Sequence, residues 1–197
     1  RREIWLMPRS SEASHTRIVA AAGSMFAEHG IGRVSLDEIA GEAQVHRTTL
    51  HRHFPGGRDE LVVAVLAHEV ESYSRHLGQV VAIAATASEA LVDTLVEAVT
   101  EGRRNRVISA LLADPGSRRV AYRSAAGTLR SHGVTLWRAI LDLPGSDAAR
   151  RAGAPEDNQV VDFLFRTVMS LVEEPGLAQS EAALRDFANH FVARALL

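Results

Sequence analysis

Cysteine and lysine are both missing from this chain of 197 residues. Without cysteine there is no disulfide and no thiolate metal site, which fits a reducing cytoplasm. Without lysine, all 22 basic residues are arginine. That bias runs through stretches with no candidate function, so it reads as composition, as from a high-GC coding sequence. A preference for bidentate guanidinium contacts can apply only at Arg47 or Arg52. Aromatic residues are scarce, 5% against 46% apolar overall, which suits an all-helical core of Ala, Leu and Val. No apolar run approaches the ~20 residues of a membrane-spanning helix. The opening Arg1-Arg2-Glu3-Ile4-Trp5-Leu6 is neither a charged-then-apolar signal nor a clear tag. Excess positive charge is missing too: the net charge is −2, and residues 1–60 hold eight arginines against eight acidic residues. A polyanion partner therefore has to be argued from local placement.

Residues 35–61 carry that placement, as two short helices joined by a tight turn. The first opens on a capping box, Ser35 with Glu38 three residues on, and its apolar residues Leu36, Ile39, Ala40 and Ala43 share one face. The second has Leu50 and Phe54 at i, i+4 pointing inward. Arg47, Thr48, Thr49, His51, Arg52 and His53 are left mostly outward. From Ala43 to Arg58 there is no acidic residue, against three arginines and three histidines. A short helix with an apolar back and a cationic, hydroxyl-bearing front is what a DNA major groove accepts. A solvated helix face is the bland alternative.

The remaining pattern is helical, with no convincing period-2 strand. Ile18, Ala21, Ala22, Met25 and Phe26 form the stripe of a first helix ending at Gly30. A long fourth helix is predicted over about 58–84, with Val62, Leu66, Val70, Tyr73, Leu77 and Val81 on one face. Leu91, Leu95 and Val99 mark a fifth, and Val107, Ile108, Leu111 and Leu112 a sixth. Asp114-Pro115-Gly116-Ser117 breaks the chain and offers Ser117 as the cap of a seventh over about 118–141, on Ala121, Ala125, Leu129, Leu136 and Ile140. Residues 143–155 read as a connection, and the last two helices span about 157–173 and 180–196. The expectation is an all-α chain of about nine helices.

The segment from about residue 16 to 66 resembles the DNA-binding domain of the tetracycline-repressor (TetR) family. The resemblance rests on Thr16-Arg17-Ile18, Phe26-Ala27-Glu28-His29-Gly30, Ser35 with Ile39-Ala40, Val45, Thr49-Leu50, His53-Phe54-Pro55 and Leu61. It covers roughly the first third of the chain. Four features depart from the family's pattern. Gln44 stands at a turn position usually held by glycine, which requires a left-handed conformation costing ~1–2 kcal/mol. His51 replaces a frequent tyrosine. His46-Arg47 replaces Ser-Lys, which weakens the cap of the recognition helix and leaves the base preference open. The loop Pro55-Gly56-Gly57-Arg58 also looks one residue longer than the commonest form.

The resemblance implies an N-terminal arm and helix-turn-helix over residues 1–57, then a helical ligand-binding and dimerisation domain over 58–197. It implies a homodimeric transcriptional regulator, most simply a repressor that binds a palindromic operator in double-stranded DNA and is released by a small-molecule effector. No cofactor, metal or membrane partner and no enzymatic activity is expected. DNA contacts would come from Ser35, His46, Arg47, Thr48, Thr49, His51, Arg52 and His53. The His46–Thr48 end would sit deepest, Thr49 and His51 would lie nearer phosphates, and Ser35 would both cap its helix and reach a phosphate. The runner-up is a helical ligand-binding or scaffold protein whose helix-turn-helix no longer binds DNA; an enzyme on a helical body comes third. The nine histidines do not suggest zinc: His46, His51 and His53 lack the i, i+3 or i+4 spacing a helical pair needs.

Two further sets of residues have competing explanations. Tyr73, His76, Tyr122, His132 and Trp137 interrupt apolar stripes and are either satisfied core residues or polar anchors of a ligand cavity. Phe163, Leu164, Val168, Leu171, Leu184, Phe187 and Phe191 widen the apolar faces of the last two helices. They either close an intrachain core or meet a second copy in a four-helix interface.

Overall fold

A computed structural model describes the backbone of residues 9–147, 149–150, 154–174 and 176–197. The side chains of residues 9, 10, 111, 112, 118, 121–126 and 129 lie outside that description, and with them the expected inward positions Leu111, Leu112, Ala121, Ala125 and Leu129. Among the described residues there is no strand. Two compact units emerge: one is the chain through Glu69 together with Arg106–Ala125, the other Val70–Asn105 with Ala126–Leu197. These units do not part at residue 57, because the first recruits segments from further along the sequence.

In the first unit, α1 (Arg9–His29) begins well before the stripe that marks it in sequence. It ends on Gly30 at φ 80°, whose N–H donates to the Phe26 carbonyl at 3.0 Å. A turn of 3-10 helix (Ile31–Arg33) leads to α2 (Leu36–Glu42) and α3 (Arg47–His53). The long α4 (Arg58–Ile83) follows. Ile18, Phe26, Ile39, Leu50, Phe54 and Leu61 are all fully buried, and α1, α2 and α3 pack on one another. The short α6 (Arg106–Ala113) lies along α1. It is followed by α7 (Pro115–Leu141). The cap of α7 is Asp114, not Ser117: the Asp114 carboxylate accepts the Ser117 N–H at 2.7 Å, and Pro115 takes the first helical position, where its missing donor costs nothing. That backbone hydrogen bond holds the Asp114 carboxyl below the ordinary aspartate value.

The second unit contains α5 (Ala87–Arg104), the later part of α7, and α8 (Asp157–Glu173) around a core of Leu91, Leu95, Val99, Trp137, Ile140 and Val160. Arg103 of α5 donates to the carbonyls of Leu171 and Ala178, both at 2.9 Å, satisfying the end of α8 and the start of the next connection. The C-terminal rod is interrupted. After α9 (Glu181–Phe187) comes a π-helical turn (Ala188–Ala193), then the short α10 (Arg194–Leu196). A π turn adds a residue to the repeat and rotates everything beyond it. Leu184, Ala188, Val192 and Ala193 are therefore buried, whereas Phe191, read from sequence on the same face as Leu184, stands 67% exposed.

Close helix approach in this unit depends on glycine. A Cβ on Gly133 of α7 would lie 2.5 Å from Cγ1 of Val161, a stiff β-branched side chain on α8. One on Gly127, in the same helix, would meet nothing within 4 Å. The two alanine substitutions should thus differ in sign. Gly127→Ala gains up to ~1 kcal/mol of helix propensity. Gly133→Ala adds an overpacking cost of ~1–3 kcal/mol that outweighs the same gain. Chemical denaturation followed by far-UV circular dichroism measures both; equal shifts would remove the close-packing account.

Candidate nucleic-acid interface

At seven residues, α3 is too short to persist on its own, since nucleating a helix costs more than two turns return. Three features hold it. Leu50 and Phe54 are buried beneath it. The turn before it closes tightly: Gln44 adopts φ 54°, the left-handed conformation its place in the sequence demands, and Val45 N–H reaches back to the Ala40 carbonyl at 3.0 Å. Its first turn is capped by a side chain, contrary to the weak cap expected from sequence. Nδ1 of His46 accepts the Thr48 N–H at 3.3 Å and sits 2.9 Å from the Thr48 hydroxyl. An imidazole nitrogen does here what a serine oxygen would, in the tautomer that leaves its proton on Nε2.

Arg58, outside the predicted contact set, fixes the frame around these helices. Its guanidinium donates to the carbonyls of Ile31 and of Val34, the latter at 2.5 Å, tying the start of α4 to the turn between α1 and α2. The sequence signal was slight: one arginine after a Gly-Gly turn.

On the outer face, His46, Arg47, Thr48, His51 and Arg52 are exposed and Thr49 is half-buried. His53 is a correction. It is half-buried with Nε2 shielded and without a partner, and its ring lies 6.1 Å from that of His15 on α1, which itself stacks on Phe54 at 5.0 Å. As the last residue of α3, His53 turns back toward α1 and not toward a groove. Ser35 caps α2 as expected, and its hydroxyl is engaged there. Its hydroxyl accepts the Glu38 N–H at 3.2 Å, and both its N–H and its hydroxyl donate to the Glu38 carboxylate at 2.7 Å. The capping box read from sequence is present, but it is complete. The Ser35 hydrogen bonds hold the Glu38 carboxyl below its ordinary value, so a phosphate here would face an ionised carboxylate. A second correction concerns the acid-free front. In space it is not acid-free, because Asp37 of α2 reaches across to Arg47, Nη1 to Oδ2 2.7 Å.

Residues 18–65 match the family model described as bacterial regulatory proteins, tetR family. Over that segment the chain is similar to the DNA-binding domain of the TetR family. It is 34% identical over 108 residues to the HTH-type transcriptional repressor Rv3405c of Mycobacterium tuberculosis (strain ATCC 25618 / H37Rv), a match covering 55% of this chain and 51% of that protein. The chain thus spans about half the length of the curated relatives it matches. Among solved structures, RolR in complex with resorcinol aligns with TM-score 0.66 and 18% identity over 95% of this chain and 89% of that one. The TetR-family repressor AlkX of Dietzia sp. strain DQ12-45-1b aligns with TM-score 0.66 and 18% identity, over 92% and 94%. At such identities these structures establish the fold.

The other predicted residues fall in the second unit, or in the case of Tyr122 outside the described side chains. The Tyr73 hydroxyl donates to the Glu97 carbonyl at 3.1 Å, and burial raises its pKa well above that of a free phenol. His76 is exposed, with Nε2 2.8 Å from the Glu97 carboxylate. Trp137 is a core residue and His132 is half-buried. Of the seven interface residues, Leu171 and Leu184 are buried in the chain's own core, so they are not available to a second copy. Leu164, Val168 and Phe187 are partly buried against that core, and Phe163 and Phe191 are exposed, the Phe187 and Phe191 rings 5.4 Å apart. Among the described residues no helix is long and apolar enough to cross a membrane, and no three His, Asp or Glu side chains are grouped to hold a metal.

His53 makes the domain acid-sensitive. Burial disfavours its imidazolium, and Arg52 and His15 push the same way, so it titrates below the ordinary histidine value. The folded state holds it neutral while the unfolded chain binds a proton near pH 6.5. Its contribution is therefore complete above about pH 6.5 and is lost as pH falls through the lowered folded value. Thermal melts between pH 7 and 5 should show a decline in midpoint that His53→Phe makes shallower. Parallel declines would place the acid sensitivity elsewhere.

Proposed function

We propose that this chain is a DNA-binding transcriptional regulator: a homodimeric repressor that reads a palindromic operator in double-stranded DNA and is released by a small-molecule effector. The observation that carries it is α3 itself, held from behind by Leu50 and Phe54 and offering Arg47, Thr48, His51 and Arg52 to solvent. His46 and Thr49 complete the contact set, with the first turn deepest in the major groove. The description of Rv3405c as a repressor supports repression, and relatives described as regulators favour binding over turnover. The resorcinol held by RolR supports a small-molecule effector. DNA contact is assigned to residues 1–57, and effector and partner copy to 58–197. One unbroken helix, Arg58–Ile83, contributes residues to both compact units, which makes it the element through which an effector would act. His132 and Trp137 on α7 are the residues around which an effector would be sought.

Binding to a pool of random duplexes tests the reading. Enrichment of one palindromic sequence, with affinity falling steeply in salt, is expected. Arg47→Ala and Thr48→Ala should each weaken binding to that duplex by ~1–3 kcal/mol and leave helicity unchanged. No enrichment and no salt dependence would favour a ligand-binding protein with a silent helix-turn-helix.

A dimer is supported by Phe163 and Phe191, large apolar side chains 45% and 67% exposed in the single chain. Because Phe191 is not part of the chain's core, Phe191→Asp should leave the fold intact and split a dimer by burying an unpaired carboxylate at its interface, a cost of several kcal/mol. Light scattering decides it; a parent protein already monomeric at micromolar concentration would overturn the dimer.

A further inference from the structure

We propose that Asp37 sets the specificity of the DNA-reading face by positioning the Arg47 guanidinium for a base edge and denying it to the backbone. This rests on the DNA-binding reading above. Arg47 is held at two of its nitrogens. Nη1 donates to Asp37 Oδ2 at 2.7 Å, and Nε donates to Nε2 of His51, one turn further along α3, at 3.4 Å. Nη2 has no protein acceptor among the described residues, so its two hydrogens and the second hydrogen of Nη1 are left for a ligand. That is an end-on donor pair matched to the O6 and N7 acceptors of guanine. Accepting from Arg47 also fixes His51 in the tautomer whose proton is on Nδ1.

Charge completes the case. Asp37 and Glu38 both lie in the first turn of α2, where the helix dipole favours carboxylates. Glu38 is turned inward onto Ser35, but the Asp37 side chain is 58% exposed. A phosphate drawn to Arg47 from the α2 side would meet the Asp37 carboxylate, whereas a neutral base edge would not. The repulsive element therefore acts against non-specific binding, and discrimination arises from what Asp37 excludes as much as from what Arg47 contacts. As an exposed ion pair it adds little to stability, so its removal leaves the fold in place.

The test compares the parent, Asp37→Asn and Asp37→Glu by selection from random duplexes. Fluorescence anisotropy follows, on the parent's selected duplex and a shuffled one at two salt concentrations. Asp37→Asn should bind the shuffled duplex more tightly and with a salt slope steeper by about one. Its specificity ratio should fall on the order of tenfold, the worth of one guanine contact, and its selected consensus should lose definition at one guanine per half-site. Asp37→Glu should restore part of the ratio. In an Arg47→Ala background, Asp37→Asn should leave the ratio unchanged, since the cycle isolates their coupling. An Asp37→Asn variant with the parental ratio and consensus would overturn the proposal while leaving DNA binding intact. A parent that selects no sequence would overturn both.

Discussion

Everything on the candidate reading face depends on two buried side chains. Leu50 on the seven-residue α3 and Phe54, the residue that caps its C-terminal end, tie α3 to a three-helix unit it could not leave and stay helical. Because both face inward, the opposite side of α3 is turned out to solvent. The orientation of Arg47, Thr48, His51 and Arg52 is a consequence of that burial more than of their own interactions. Arg58 holds the surrounding frame by donating to two carbonyls of the α1–α2 turn.

The polar contacts around α3 make a small electrostatic circuit. His46 caps the first turn, Thr48 answers the cap, Arg47 spans from Asp37 on α2 to His51 on its own helix, and His53 closes the far end against His15 and Phe54. Only exposed ends of this circuit face outward. The chain is acidic overall, yet the charge it presents at this face is two arginines, Arg47 partly balanced by Asp37 and Arg52 beside it. Such a surface suits selection among sequences better than indiscriminate attraction to phosphate.

Where structure follows from local rules, the sequence was sufficient. The Ser35–Glu38 capping box, the left-handed Gln44 and the Gly30 stop each depend on a few adjacent residues, and each is present. What sequence could not supply were choices between near-equivalent neighbours and meetings across helices. Asp114 and Ser117 are both good caps, and a carboxylate placed just before Pro115 took the position. Phe191 fits the inward stripe of a regular helix, but the π turn after Phe187 rotates it into solvent. His46 is a poor substitute for serine by residue type, but its ring nitrogen accepts the Thr48 N–H. Asp37 lies ten residues from Arg47, so a scan for acids along α3 passes over it.

The central claim is that the first turn of α3 enters a major groove and that Arg47 meets guanine there. Methylation of guanine N7 reads that groove directly, so the decisive measurement is methylation protection on the selected duplex. The account predicts protected guanines in two half-sites whose centres lie about one helical turn apart. It further predicts that Arg47→Ala restores their reactivity even at protein concentrations that keep the duplex bound. Guanine N7 atoms fully reactive in a saturated complex of the parent protein would contradict it.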